Sequence, residues 1–441
     1  MHKTFHIETF GCQMNKSDSE LMESSLIKNG FLPAPSESEA DVVVYNTCSV
    51  RQHAENRATA RIRSIRPAVN RKNGIIVVTG CMAQRIGTKL VQDGLAHLVI
   101  GPYQSPKIGE IVGNYLEGKK GRAFLSQEAA DFQGRLFDSI ATEHEGQRWH
   151  EWVTITHGCE NYCAYCIVPY VRGRLISFRS QDILKHINSL AAKGVKEITL
   201  LGQNVNQFGH DSGDIPFYAL LEKTARIKGL VRINYLTSHP KDFDPEIIGV
   251  MKDHGNISRS IHLPLQSGSD KILASMNRKY TLDRYLSIVE LIDSGLEDYS
   301  ITTDLIVGFP GEDESDFAAT MEAVRRVRFD DAFMYAYSPR EGTPSAGLRE
   351  LLTRDEKIAR LNELISVQRA ISREKLEARI NRIEELIPER ISRNSGNEIM
   401  GKTFLNHPAV FPGDDEDIGR YTRIKILGIN GSTLQGMKIA G

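Results

Sequence analysis

The sequence predicts an α/β protein with a small all-β end: an N-terminal parallel α/β domain, a partial (βα)6 barrel and a C-terminal small β-barrel. Three observations carry this reading. Apolar β-type runs alternate with helical stretches from Thr4 to Ile100. The alternation restarts at Trp152 and continues to Tyr337. Beyond residue 380 it gives way to short β-type runs parted by the turn signals Ser395-Gly396, Pro412-Gly413 and Asn430-Gly431. Alternating strands and helices argue for parallel sheets. Closely spaced short strands argue for a small barrel.

The chain has 441 residues, enough for two to four domains, and 40% of them are hydrophobic. That fraction is ordinary for a protein with buried cores. No run approaches the roughly 18 apolar residues of a membrane span. The N-terminus leads straight into the β-type run Thr4-Phe5-His6-Ile7 with no apolar leader, so a cytoplasmic location is expected. In that reducing compartment the 6 cysteines are expected as metal ligands or catalysts rather than disulfides. The net charge of −1 gives no global argument for nucleic acid, so such a case rests on local patches.

Residues 1–120 form the first predicted domain. Its strands are Thr4–Phe10, Asp41–Asn46, Ile75–Thr79 and Ala96–Ile100, and its helices run about Ser17–Asn29 and Arg51–Ile65. Gly30 stops the first helix. A polar linker, 121–146, carries Asp138, Glu143 and Glu145. The second domain, 147–378, holds six strands: Trp152–Thr156, Glu197–Leu201, Val231–Leu236, Ser260–Leu263, Ile301–Val307 and Ala332–Tyr337. Six units rather than eight leave a barrel open on one side. Thr353 and Glu356 cap a final helix whose apolar stripe is Ile358, Leu361, Leu364 and Ile365. The third domain, 379–441, has strands Ile383–Ile391, Glu398–Phe404, Ala409–Phe411, Thr422–Leu427 and Thr433–Ala440.

The chemistry centres on Cys159, Cys163 and Cys166, spaced C-x3-C-x2-C in the loop after the strand Trp152–Thr156. Thiolates suit iron–sulfur clusters and zinc. A four-iron cluster normally takes four cysteines. Three leave one iron open to chelate the amino and carboxylate groups of S-adenosylmethionine. Zinc with His157 as fourth ligand is the alternative, although a structural zinc site usually pairs its ligands with a distant second pair.

Cys12, Cys48 and Cys81 each follow a strand of the first domain. Carboxyl ends of parallel strands open on one edge, so these cysteines are predicted to meet there and hold a second cluster. Gly11 and Gly80 beside them allow close backbone approach. The bland alternative is three small core residues.

The strand ends of the second domain present Gln203, Asn204, Ser238, His239, Gln266, Ser267, Asp304 and Ser338. Polar residues there line the mouth of such a barrel, though singly they are often turn-formers. Arg51, Arg57, Arg61, Arg63, Arg66, Arg71 and Lys72 form one basic stretch with the single acid Glu55. Arg172, Arg174 and Arg179 follow the cysteine loop. Arg390, Arg393, Lys402, Arg420 and Arg423 lie in the last domain. These point to a polyanion, with a solvated face and a stabilising cap as the plainer readings. The acidic run Asp414–Asp417 opposes an evenly basic barrel.

The cysteine loop, with Tyr165 before its third cysteine, resembles the cluster motif of radical S-adenosylmethionine enzymes. The runs Glu8–Asn15, Asn46–Arg51, Leu201–Asn206, His262–Asp270 and Met276–Thr281 narrow this. Together they resemble the methylthiotransferase family over essentially the whole chain, with its TRAM domain last. Within it they are closest to the subgroup acting on isopentenylated adenosine in tRNA. The resemblance implies two 4Fe–4S clusters, one on Cys159, Cys163 and Cys166 and one on Cys12, Cys48 and Cys81. It implies S-adenosylmethionine near Tyr165, Gln203, Asn204, Ser238, Gln266, Arg278 and Asp304, with Arg278 reaching its carboxylate. One cofactor molecule methylates a sulfur and a second is cleaved to a radical that takes hydrogen from C2 of adenosine 37. The implied partners are the tRNA anticodon stem-loop and an electron donor such as flavodoxin or ferredoxin, with no membrane, for a monomer. Sister enzymes acting on threonylcarbamoyl-adenosine or a ribosomal-protein aspartate, and a non-catalytic RNA-binding protein, are the rivals.

Overall fold

The computed structural model describes residues 3–49, 52–119, 121–126, 149–392 and 396–439. Most of the linker, with Asp138, Glu143 and Glu145, lies outside them, as do Arg51, Arg393 and Ser395. The chain divides into two compact units. The first holds the residues up to the linker with Thr156–Tyr162 and Cys166–Phe178; the second holds 149–155, Cys163–Tyr165 and everything from Arg179.

The first unit is built on a six-stranded sheet. Its strands are β1 (Thr4–Thr9), β2 (Leu32–Pro33), β3 (Val42–Thr47), β4 (Ile75–Gly80), β5 (Leu98–Ile100) and β6 (Ala123–Phe124), in the order β2-β1-β3-β4-β5-β6. Every pairing is parallel. The period-2 alternation of a strand separates two cores. Val43 and Tyr45 pack with Ile62, Ala58 and Met82 on one face. Val42 and Val44 pack with Met22, Leu26 and Ile108 on the other. The two-residue strands β2 and β6 at the edges are too short to leave a periodic signal. The first helix begins at Gln13, directly after Cys12, rather than near Ser17. The second runs Gln52–Arg71 and continues through Pro67, past its expected end.

In the second unit β7 (His150–Thr154) pairs with β10 (Glu197–Leu201), and β10 with β11 (Arg232–Leu236). Between β7 and β10 in the chain, β8 (Thr156–His157) and β9 (Ile176–Ser177) form an antiparallel pair that belongs to the first unit. A second triplet follows: β12 (Ser260–His262), β13 (Ser300–Val307) and β14 (Asp331–Ala336). All these pairings are parallel. The triplets are joined by the bridge Ile233–Ile257 and by the Ser238 amide donating to His262 O at 3.1 Å. Six parallel strands in chain order make the expected partial barrel.

The capping box of Thr353 and Glu356 starts the helix Arg354–Glu377. Its buried stripe is Lys357, Leu364, Gln368, Ile371 and Leu376, and Ile358 is 41% exposed. The expected stripe was therefore rotated: Gln368 Nε2 donates to Phe329 O, which lets a polar residue face inward.

The chain ends in a closed five-stranded barrel of β15 (Ile383–Ile391), β16 (Glu398–Thr403), β17 (Pro408–Pro412), β18 (Thr422–Asn430) and β19 (Thr433–Lys438). Its core is Leu386, Ile399, Phe411, Ile424, Ile426 and Leu434. Four successive carbonyls, two at the end of β16 and two just beyond it, accept side-chain donors from the amino ends of the parallel strands. Arg232 Nη1 reaches Lys402 O (2.6 Å) and Thr403 O (2.9 Å). Ser258 and Ser300 hydroxyls reach Phe404 O (2.6 Å) and Leu405 O (2.7 Å). Arg232 is itself held by Glu197 at 2.6 Å.

Candidate active site

The register of the first sheet sets Thr9 against Asn46 and Thr47 against Gly80. The carboxyl ends of three adjacent strands are thereby level, and Cys12, Cys48 and Cys81 follow them. A Cβ on Gly11 (φ 115°) would lie 2.4 Å from Cys48 Cβ, so only glycine lets the two segments close. Gly80 (φ 86°) has the same role, since its Cβ would lie 2.3 Å from Thr47 O. The Cys12 thiol is lowered to about 6, first by its hydrogen bond with Cys48 and then by the charge of Arg172. Burial raises Cys81, against the pull of Arg172.

Arg172 overturns part of the sequence reading. It was expected in a basic patch on the surface, yet its relative exposure is 1%. Its Nε donates to Cys81 Sγ at 3.4 Å, and its Nη2 donates to Asn15 Oδ1 at 3.0 Å and Asp18 Oδ2 at 2.6 Å. Its carbonyl accepts the Tyr103 hydroxyl at 2.9 Å. Arg172 ends the short helix Val168–Arg172, whose Val171 packs with Ile167 on Cys81. No local pattern reveals this, because Asp18 and Cys81 are remote in sequence.

The C-x3-C-x2-C loop spans the division between units, with Cys159 and Cys166 in the first and Cys163 in the second. The Cys159 amide donates to Gly173 O at 3.1 Å. In the second unit Cys163 is buried and receives Arg278 Nη1 at 3.4 Å. The other donors of Arg278 go to Pro264 O (2.8 Å) and the Tyr280 hydroxyl (3.2 Å). Its fork is thus engaged with the loop. Tyr165 packs with Ile306 against Ala164, Ile272, Met276, Phe309 and Tyr337.

The strand-end residues of the second unit divide into satisfied and unsatisfied groups. Gln266, at φ 72°, bridges to Leu305 and is buried. Asp304 lies 3.5 Å from His262 Nε2. Ser267 shares a hydrogen bond with Thr320. Gln203 is half-buried and Ser338 is exposed. Asn204 Nδ2 donates to Asp242 at 2.7 Å, but its Oδ1 has no partner among the described residues. The same holds for Asn206 Nδ2, Ser238 Oγ and His239 Nε2. Burial, then the charge of Arg278, holds His239 far below its ordinary pKa, so it stays neutral. Buried polar atoms without partners are rare and mark places for a polar ligand. Asn206 and His262 were missed as individual candidates, for want of any pattern beyond their neighbours.

Residues 4–101 match the Uncharacterized protein family UPF0004, and residues 153–324 match the Radical SAM superfamily. The fold is similar to that of a radical S-adenosylmethionine methyltransferase, TsrM, from Kitasatospora setae, with a TM-score of 0.58 at 14% identity over 78% of this chain and 75% of that one. The chain is 40% identical to the tRNA-2-methylthio-N(6)-dimethylallyladenosine synthase of Natranaerobius thermophilus, covering 96% of this chain and 94% of that one. It is 38% identical to that of Moorella thermoacetica, covering 100% and 99%. This chain belongs to the tRNA-2-methylthio-N(6)-dimethylallyladenosine synthase family. Radical S-adenosylmethionine proteins work with a 4Fe–4S cluster and S-adenosylmethionine. Cysteine thiols fit the first by their donor chemistry, and the unpartnered buried atoms of Asn204, Asn206, Ser238 and His239 fit the second.

Proposed function

We propose that the protein methylthiolates C2 of N6-dimethylallyladenosine at position 37 of tRNA, using two 4Fe–4S clusters and two molecules of S-adenosylmethionine. When bound, these groups supply the sulfur, the methyl group and the radical that an unactivated aromatic C–H bond requires. Cys159, Cys163 and Cys166 would hold one cluster; Cys12, Cys48 and Cys81 would hold the other. Arg278 fixes the loop around Cys163, and Asn204, Asn206, Ser238 and His239 offer donors and acceptors to orient the cofactor. Tyr165, Gln203, Gln266 and Asp304 complete the set around it. The carrying observation is the levelling of Cys12, Cys48 and Cys81 at the ends of three neighbouring parallel strands.

Three functional domains, 1–120, 147–378 and 379–441, fit this reading, with the last barrel touching the tRNA. The protein would act in the cytoplasm as a monomer supplied with electrons by flavodoxin or ferredoxin. No described helix is long and apolar enough to cross a membrane.

The test measures iron on anaerobically reconstituted protein and nucleosides after reaction with isopentenylated tRNA. About eight irons are expected in the wild type, and about four in each variant with one cysteine triad changed to alanine. Product with the Cys12, Cys48 and Cys81 variant at the wild-type level sinks the second cluster. A methylthio group found only on threonylcarbamoyl-adenosine sinks the substrate assignment.

A further inference from the structure

A guanidinium carries five N–H donors and no acceptor. In Arg172 the Nε proton goes to Cys81 Sγ and the Nη2 protons to Asn15 and Asp18. Its Nη1 is buried without a hydrogen-bond partner among the described residues. A buried donor left without an acceptor is unfavourable even when the charge of its group is paired, as that of Arg172 is by Asp18. The fold nonetheless fixes the group from both sides. Asp18 and Asn15 hold Nη2, and the Tyr103 hydroxyl holds the backbone carbonyl. Such support orients a side chain toward something further. A small anion bearing sulfur acceptors, bound by Cys81 and its two neighbours, would meet both the positive charge and the spare donor.

We infer that Arg172 is a positioning residue of the auxiliary site, donating through Nη1 to a sulfur of the iron–sulfur group on Cys12, Cys48 and Cys81 and raising its reduction potential. The inference rests on the two-cluster reading. A donor and a cation beside cluster sulfur stabilise the reduced, more negative state, so the potential rises. Asp18 opposes part of this charge while fixing its direction, which makes the donor specific in space rather than a diffuse field.

The test uses the full-length chain with Cys159, Cys163 and Cys166 changed to alanine, so that a single cluster remains. Arg172→Lys and Arg172→Met are added to that parent. Iron content, far-ultraviolet circular dichroism and the midpoint of an EPR-monitored reductive titration are measured. The expected result is retained iron, a more negative midpoint in Arg172→Met, and an intermediate one in Arg172→Lys, which keeps the charge but loses the fork. Retained iron with unchanged midpoints overturns the inference and leaves the two-cluster reading intact. Iron lost from both folded arginine variants also overturns it, since a donor that tunes an assembled cluster must leave the cluster assembled. A parent without iron overturns the two-cluster reading itself, and the inference with it.

Discussion

Arg278 Nη1 lies 3.4 Å from the sulfur of Cys163, while its Nη2 donates to Pro264 O at 2.8 Å. One buried cation thus ties a motif cysteine to the strand-end loop of the parallel barrel. Arg278→Met is expected to lower 5′-deoxyadenosine formation about 10–100-fold, the usual effect of removing a partner of a metal ligand. Iron assigned to Cys12, Cys48 and Cys81 should persist. Normal cleavage rates in this variant would show that Cys163 needs no such support.

Ser238 offers a contrasting test. Its hydroxyl is buried without a hydrogen-bond partner among the described residues, so Ser238→Ala breaks no bond in the protein alone. Thermal stability should stay level or rise. Affinity for S-adenosylmethionine should weaken by about 1 kcal/mol, the net worth of one hydrogen bond, or roughly fivefold. Isothermal titration with the cofactor distinguishes this from a purely structural serine, which would lose stability and keep affinity.

The ion pair of Glu197 and Arg232, at 2.6 Å, is almost wholly buried. Glu197→Ala strands a cation that also holds Lys402 and Thr403 carbonyls. Breaking such a pair costs roughly 3–5 kcal/mol. The first thermal transition of the second unit should fall, and proteolysis should reach the C-terminal barrel sooner. An unshifted transition would contradict the anchoring described.

His239 gives a pH dependence. Its folded pKa is depressed by burial, so the unfolded chain binds the proton that the native chain refuses. Stability from this group is full above the unfolded value of about 6.5 and declines as pH falls below it. The slope approaches about 1.4 kcal/mol per pH unit for one proton. Comparing unfolding at pH 7.5 and 5.5, the loss should be smaller in His239→Gln than in the wild type.

Much of this was legible because it is periodic or local. β10 and β15 start and stop where their predicted β-type runs do, and Thr353 and Glu356 mark their helix within one turn. The cysteines announced themselves by spacing and by following strands. What stayed hidden depends on distant partners. Arg172 read as surface charge because Asp18 and Cys81, which make its burial tolerable, lie far away in the chain. Arg278 read as a fork awaiting a carboxylate because Pro264 O and Cys163 Sγ are invisible as acceptors in a sequence. The stripe of Arg354–Glu377 was misplaced because Gln368 faces inward on the strength of one carbonyl, Phe329 O.

The fastening of the last barrel by Lys402, Thr403, Phe404 and Leu405 carbonyls makes these four hydrogen bonds depend on backbone path, while the Phe404 ring under Arg232 and His407 beside Asp330 add side-chain contacts. Mutational drift at Lys402, Thr403 and Leu405 should leave the four bonds intact so long as the backbone path survives, whereas Arg232, Ser258 and Ser300 on the other half are not free to vary. A chain ended before Ile383 would strip these three donors of their acceptors at once. The shortened catalytic portion should therefore behave as an opened molecule, prone to association, rather than as an independent enzyme lacking an accessory.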